Sequence, residues 1–193
     1  MNSESTIEFF THKMCPYAQR VWIALEHHGV EYKLTEIDLY GHKPQWFLKL
    51  NPKGLVPVIR YGDVVVTESN DILNFLEETF SSESHQDDGW FDFINQRLGP
   101  TAKRFRQSGR GKENFARVIL EMEEKIIGPY LCGDELCNAD FSMIPFLQRI
   151  YDHDLMKNLV NQSDIPKLDA YAKAVFSSDC FRATIVSPYW WWW

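Results

Sequence analysis

The hydropathy pattern of the chain changes once, at a polar segment that spans residues 81–89. This segment, SSESHQDDG, contains no large apolar residue and has the composition of a linker. Before it, β-branched and aromatic runs alternate with helical patterns, whereas after it every strong pattern is helical. We therefore predict an α/β domain over residues 1–80, a linker over 81–89 and an all-α domain over 90–193.

The first domain is predicted to have the element order β-α-β-α-β-β-α. In chain order its elements are strand 6–10, helix 16–28, strand 31–39, helix 44–50, strands 58–60 and 64–67, and helix 69–80. Pro16 suits a first helical position, Gly29 suits a helix end, and Ser69 is expected to cap the last helix. This order is typical of a thioredoxin-like domain.

The second domain is predicted from three stripes of apolar residues at helical spacing. The stripes are Trp90, Ile94, Leu98, Ala102 and Phe105; Phe115, Val118, Ile119, Met122 and Ile126; and Phe141, Ile144, Leu147 and Ile150. A shorter helix is expected after Pro166.

Composition excludes several classes of protein. The apolar fraction of 45% argues against disorder, and the net charge of −7 argues against broad nucleic-acid binding. No apolar run approaches the roughly 20 residues of a membrane span, so stable membrane insertion is not expected. The N-terminus lacks the basic and apolar regions of a secretory signal, and we expect a cytoplasmic protein.

The four cysteines are too few for a disulfide-built scaffold of this length. In a reducing compartment a cysteine is more often buried or reactive than bridged, and Cys132 and Cys180 are expected to be packing residues. Cys132 and Cys137 have no ligand partners at a recognisable spacing, so no metal site is predicted.

Cys15 is the candidate nucleophile. It follows a predicted strand and directly precedes the helix that begins with Pro16, so its sulfur should face unpaired backbone N–H groups and the positive end of the helix dipole. Such positions can lower a thiol pKa from about 8.5 to roughly 3.5–7.5. His12 and Lys13 lie close in sequence and are expected to add positive potential. The alternative is a buried, inert cysteine.

The position three residues after Cys15 is occupied by Ala18, so the dithiol motif Cys-x-x-Cys is absent. A disulfide formed at Cys15 would therefore have no local resolving thiol, and an external thiol such as glutathione would have to complete the cycle.

Three further places are expected to converge on the same site. Val56-Pro57 precedes a strand and suits a cis peptide, which would leave the Val56 backbone able to pair with an extended peptide. Glu68-Ser69, at a strand-to-helix junction, suits an ammonium and a carboxylate, and Lys43 suits a second carboxylate. Each has a structural alternative: a strand-initiating proline, an ordinary N-cap and a solvated lysine.

Together these residues resemble the cytosolic glutathione transferases of the cysteine type, namely the Omega and Lambda classes and the dehydroascorbate reductases. The segments that carry the resemblance are CPYAQRVW (15–22), KPQWF (43–47), NPKGLVPV (51–58), Glu68-Ser69 and ADFSMIPF (139–146). The resemblance implies glutathione transferase architecture, with a glutathione site on the thioredoxin-like domain.

The resemblance also implies roles for individual residues. Cys15 would form a mixed disulfide with glutathione, and the backbone of Val56, followed by the family's cis-proline at Pro57, would pair with the cysteinyl part. Glu68 and Ser69 would hold the γ-glutamyl end, whereas Lys43 would help to hold the glycyl carboxylate.

The chain departs from the family pattern in its second half. Cys137 stands where the family has a Ser or Thr cap, and Asn138 is a possible substitute. The helical domain is short, and the tail Trp190–Trp193 has no known family function; a core plug, a pocket lid and an interfacial anchor are alternatives.

The predicted function is that of a glutathione-dependent thiol transferase or deglutathionylating reductase, with dehydroascorbate reduction as a variant. Glutathione is the expected co-substrate, and a small electrophile, disulfide or glutathionylated molecule the second substrate. A conjugating transferase, a ligand carrier and a membrane-switching member of the fold are alternatives. A monomer is favoured over a homodimer.

Overall fold

The structure, a computed structural model, describes residues 6–82 and 89–185. These residues form two compact units, one on each side of residue 84. Most of the predicted linker and the whole Trp190–Trp193 tail lie outside the described residues.

The first unit has the predicted element order around a four-stranded mixed sheet. Its elements are β1 (Ile7–Thr11), α1 (Pro16–His27), β2 (Tyr32–Glu36), α2 (Gln45–Leu50), β3 (Val58–Tyr61), β4 (Val64–Thr67) and α3 (Ser69–Phe80). The strand order is β2-β1-β3-β4; β1 and β2 are parallel, and the other two pairs are antiparallel. This is the thioredoxin-like arrangement, and it places the N-terminus of α1 at the end of the central strand β1.

Strand β2 is shorter than the prediction of residues 31–39, because it ends at Glu36. Ile37 still donates its backbone N–H to the Thr11 carbonyl at 2.8 Å. The Asp38 carboxylate then accepts the backbone N–H of Tyr40 at 2.9 Å and turns the chain away from the sheet.

The second unit is helical in the described residues. It contains α4 (Trp90–Asp92), a π-helical segment (Phe93–Leu98), α5 (Gly99–Ser108), α6 (Lys112–Lys125), α7 (Asn138–Asp152), a 3-10 turn (Gln162–Asp164), α8 (Pro166–Ser177) and α9 (Asp179–Arg182). Phe93, Ile94 and Leu98 of the π-helical segment are buried. The helix expected after Pro166 is α8, so that prediction is confirmed. Within the described residues, no helix is both long enough and apolar enough to cross a membrane.

The central helix α7 begins differently from the prediction. Cys137, not Asn138, occupies its N-cap, and Asn138 is the first helical residue. The Asp140 carboxylate accepts the Cys137 backbone N–H at 2.9 Å, and the Cys137 sulfur faces the backbone N–H of Asp140, which is the reciprocal arrangement of a capping box.

The expectation that Cys132 is a packing residue is wrong. Cys132 and Cys137 are joined by a disulfide, with their Cα atoms 6.3 Å apart. Cys180, in contrast, is a buried free thiol, as expected of a packing residue.

Candidate active site

Cys15 lies at the N-cap of α1, with Pro16 as the first helical residue. Only 9% of its surface is exposed, and it borders an apolar cluster that includes Phe10, Ala18 and Phe47. Its backbone is fixed on both sides, since Cys15 N donates to the His12 carbonyl at 2.9 Å and Gln19 N donates to the Cys15 carbonyl at 3.0 Å. The sulfur therefore has a defined place beside the first turn of the helix, where N–H groups and the helix dipole favour a thiolate.

Val56, one of the predicted site residues, contacts this sulfur. The Cys15 thiol donates to the Val56 carbonyl, with Sγ and O 3.7 Å apart. The Val56–Pro57 peptide bond is cis, as the sequence suggested. Thus two segments separated by 41 residues in sequence meet at the Cys15 sulfur.

Arg20 is a residue of this region that the sequence reasoning did not single out. Its side chain is only 1% exposed, and it lies over the ring of Tyr17 with Cζ 4.9 Å from the ring centroid. Burial lowers the pKa of the guanidinium to about 10, and the charges of Tyr17 and Cys15 act in the opposite direction. Arg20 therefore keeps its positive charge at neutral pH, and the same interaction favours the thiolate form of Cys15. The signal available in the sequence was a basic residue one turn or so after the cysteine, on a helix with a buried face.

Ser69 is hydrogen-bonded to Arg20, whose charge interacts with that of Cys15. The guanidinium donates to Ser69 Oγ and to Asn70 Oδ1, each at 3.2 Å. The prediction that Ser69 caps α3 is wrong. Ser69 is the first residue of the helix, and Glu68 occupies the N-cap. Arg20 thus links the start of α3 to the start of α1.

Glu68 has a backbone φ of 68°, in the left-handed region that few residues other than glycine adopt. Its carboxylate pairs with Lys53 Nζ at 2.6 Å, and both side chains are exposed. The predicted site residues included Glu68 but not Lys53. Lys53 lies three residues before Val56, in the segment 51–58.

Lys43 lies beside Gly54 of the loop that leads to Val56. Its Nζ donates to the Leu39 carbonyl at 2.8 Å, and its aliphatic stem passes beside Gly54. A Cβ at Gly54 would lie 3.6 Å from Lys43 Cδ, and Gly54 has a φ of +64°. The hydrogen bond that Lys43 makes is thus to a backbone carbonyl close to it in sequence.

His12 does not supply the positive potential expected of it. Burial lowers the pKa of the imidazole below its usual value, more strongly than the charge of Glu36, 3.5 Å away, raises it. In addition, His12 Nδ1 accepts the backbone N–H of Met14 at 3.2 Å, which requires an unprotonated nitrogen. The imidazole is therefore neutral at pH 7, and the buried cation in this region is Arg20.

Comparisons with known proteins identify the family of the chain. The family model for the glutathione S-transferase N-terminal domain matches residues 14–79. The rice (Oryza sativa subsp. japonica) protein named "Probable glutathione S-transferase DHAR1, cytosolic" is 30% identical over 180 residues, covering 88% of this chain and 83% of its own. The chain belongs to the glutathione transferase family.

Other relatives of this glutathione transferase have similar sequence identities to it. The Arabidopsis thaliana glutathione S-transferase DHAR2 is 27% identical over 181 residues, covering 88% of this chain and 83% of its own. Among solved structures, glutathione transferase Omega 3C from Trametes versicolor superposes with a TM-score of 0.80 at 27% identity, covering 93% of this chain and 84% of its own. The Omega resemblance inferred from the sequence is therefore confirmed for the fold.

No group of three or more metal-ligating side chains occurs among residues 6–82 and 89–185.

Proposed function

We propose that this glutathione transferase is a glutathione-dependent thiol transferase that acts through a mixed disulfide between Cys15 and glutathione. The observation that carries the proposal is the position of the Cys15 sulfur, at the N-terminus of α1, 3.7 Å from the Val56 carbonyl and within the field of the buried Arg20 cation. Each of these features favours a thiolate or places it beside a backbone that can bind a peptide.

The absence of a second cysteine at position 18 supports thiol transfer to an external thiol. Ala18 is fully buried where the resolving thiol of a dithiol motif would stand. Of the other cysteines, Cys132 and Cys137 are bonded to each other. A mixed disulfide at Cys15 would thus persist until a second glutathione reached it.

The proposed cycle has two exchange steps. In the first, the Cys15 thiolate attacks the glutathionyl sulfur of a substrate disulfide; the substrate's S–S bond breaks, and its thiolate leaves and is protonated by water. In the second, the thiolate of another glutathione attacks the glutathionyl sulfur of the mixed disulfide. The bond to Cys15 breaks, oxidised glutathione leaves, and the Cys15 thiolate is regenerated.

Glutathione would be held along the path from Lys43 to Ser69. Its cysteinyl part would pair with the Val56 backbone beside Pro57, its ammonium would pair with Glu68, and its α-carboxylate would meet Ser69 and the N–H groups at the start of α3. Lys43 would take the glycyl carboxylate and exchange its bond to the Leu39 carbonyl for it. The family membership supports glutathione as co-substrate, and a structural neighbour, the rice enzyme OsGSTU1, is described as a complex with glutathione.

Dehydroascorbate is a second candidate substrate, because two of the relatives reported above carry the name DHAR. The conjugating alternative requires a hydroxyl that activates the glutathione thiol. Tyr17 is the neighbouring hydroxyl-bearing residue, but its ring packs against Arg20, which favours a role as a wall of the site.

The test is glutathione-dependent reduction of a small mixed disulfide by wild type and by Cys15→Ser, with glutathione binding measured by titration calorimetry. We expect turnover in wild type, and binding without turnover in the variant. Turnover retained by Cys15→Ser would contradict the mechanism. Glutathione binding without any turnover in wild type would favour a carrier, and conjugation of chlorodinitrobenzene without thiol transfer would favour a conjugating transferase.

A further inference from the structure

We propose that Cys132 and Cys137 form a second thiol–disulfide couple, separate from Cys15, that exchanges with glutathione and glutathione disulfide through attack at Cys132.

The two cysteines are held together by more than their own bond. They stand five residues apart, at the ends of a loop that leads into α7. The buried carboxylate of Asp140 holds both ends of this loop: Oδ1 accepts the backbone N–H of Leu131 at 3.0 Å, and Oδ2 accepts that of Cys137 at 2.9 Å.

A further contact fixes the loop from outside. The indole N–H of the buried Trp90 donates to the Leu131 carbonyl at 3.2 Å. None of these hydrogen bonds depends on the oxidation state of sulfur. After reduction the two thiols would therefore remain neighbours, and a mixed disulfide at one of them would be resolved by the other at a high effective concentration.

The two sulfurs differ in their accessibility. Cys132 is partly exposed in the loop, whereas Cys137 is 2% exposed. A thiolate from solution therefore reaches Cys132, and Cys137 is the leaving group. A Cys137 thiolate would form at the N-terminus of the fifteen-residue helix α7, facing the backbone N–H of Asp140. The Asp140 carboxylate opposes this charge, but its two oxygens each accept a backbone N–H.

Reduction of the pair by glutathione takes two exchange steps. A glutathione thiolate attacks Cys132 Sγ, the Cys132–Cys137 bond breaks, and Cys137 leaves as a thiolate that water can protonate. A second glutathione thiolate attacks the glutathionyl sulfur on Cys132 and releases glutathione disulfide and the Cys132 thiolate. Two electrons pass from two glutathione molecules to the protein, and the reverse sequence oxidises the pair.

Cys180 provides an internal contrast. It is a free thiol that burial makes harder to ionise, because desolvation raises its pKa. Its hydroxyl neighbour, Ser178 Oγ, lies 3.5 Å from the sulfur, and the structure shows no disulfide at this residue. The oxidation state of Cys180 should thus stay constant under conditions that change the pair.

The experiment uses the full chain in buffers of graded glutathione and glutathione disulfide, followed by acid quenching, alkylation and tryptic digestion. Cleavage after Lys125 and Arg149 releases Cys132 and Cys137 together, in a peptide that contains neither Cys15 nor Cys180. The peptide should change from unlabelled to doubly alkylated as glutathione increases. The extent of reduction of an internal disulfide depends on the square of the glutathione concentration divided by the concentration of glutathione disulfide. Diluting both at a constant ratio lowers this quotient, so the fraction of reduced peptide should fall.

The same titration is carried out on Cys15→Ser, Cys180→Ser and Cys132→Ser. The first two should leave the transition of this peptide unchanged, which separates the pair from the proposed catalytic cysteine. Cys132→Ser should remove the concentration dependence, leaving Cys137 alkylated or singly glutathionylated. A peptide that is doubly alkylated in every buffer, or unlabelled in every buffer, would overturn the proposal, as would a transition that is lost in Cys15→Ser.

Discussion

Cys15 and Cys137 occupy the same local position in the two units of this protein, the N-cap of a helix, yet their surroundings give them different chemistry. Cys15 precedes α1 and has the buried Ala18 one turn ahead, a carbonyl beside its sulfur and the Arg20 cation nearby. Cys137 precedes α7, is bonded to Cys132, and has the Asp140 carboxylate on its backbone N–H. The difference teaches that a helix N-terminus favours a thiolate only as one contribution among several, and that neighbouring thiols and charges decide how the sulfur reacts.

The largest expected effect follows from removing each sulfur in turn. Cys15→Ser should lower the rate of thiol transfer by about three orders of magnitude or more, because it removes the proposed nucleophile. Cys137→Ser should leave kcat within about twofold, since serine keeps the N-cap of α7. Initial rates with a small mixed disulfide measure both, and a comparable loss in the two variants would remove the functional distinction between the two cysteines.

The second effect concerns stability. Reduction of the Cys132–Cys137 disulfide, which closes a loop of sequence separation 5, should lower the free energy of unfolding by about 2 kcal/mol. Urea unfolding followed by circular dichroism, with and without reductant, measures the difference. In Cys137→Ser the two curves should coincide; a remaining difference would assign the stabilisation to another cysteine.

The third effect tests the positive charge near Cys15. Arg20→Met should shift the pH profile of Cys15 alkylation by iodoacetamide upward by about one unit, and slow the reaction about tenfold below the profile's midpoint. The sign follows from charge, because loss of a nearby cation disfavours the thiolate. Arg20→Lys, which keeps the charge, should recover most of the shift. Thermal unfolding of both variants controls for the lost bonds to Ser69 and Asn70, and an unchanged profile in Arg20→Met would exclude the electrostatic role.

The smallest expected effect is on the KM for glutathione, and it should differ between the two members of the exposed ion pair of Glu68 and Lys53. Glu68→Gln should raise the KM for glutathione several-fold, because the proposed partner of the glutathione ammonium is lost. Lys53→Ala breaks the same ion pair but should leave this KM nearly unchanged, since exposed ion pairs contribute little. Equal changes in the two variants would mean that Glu68 acts through Lys53 and does not bind glutathione.

The order of the first seven elements was predictable because each has a local signal. Pro16 and Gly29 delimit α1, and Tyr61-Gly62-Asp63 turns β3 into β4. The end of β2 was not predictable from alternation, because the chain turns where the Asp38 carboxylate accepts the backbone N–H of Tyr40. The N-cap of α3 was misassigned to Ser69 for a similar reason: the Ser69 hydroxyl is used by Arg20, a residue on another helix.

The charges around Cys15 likewise depend on contacts that the local sequence does not show. His12 is near Cys15 in sequence, but burial lowers the pKa of its imidazole, and its proximity in sequence does not show that burial. The sequence places Arg20 about one turn after Cys15, but that position alone does not show that its side chain lies over Tyr17 and donates to Ser69 of α3.

The sequence by itself determined that a cysteine stands at the start of a helix after a strand, that Ala18 replaces a second cysteine, and that seven elements follow in thioredoxin-like order. These are properties of neighbouring residues and of hydrophobic period. Only the tertiary structure decided that Cys15 meets Val56, that Arg20 is the buried cation, and that Cys132 is bonded to Cys137. The physical reason is that these features arise only when the chain is packed. They are a contact between residues 41 apart in sequence, the burial of a charged side chain, and the hydrogen bonds of Asp140 to both ends of a loop.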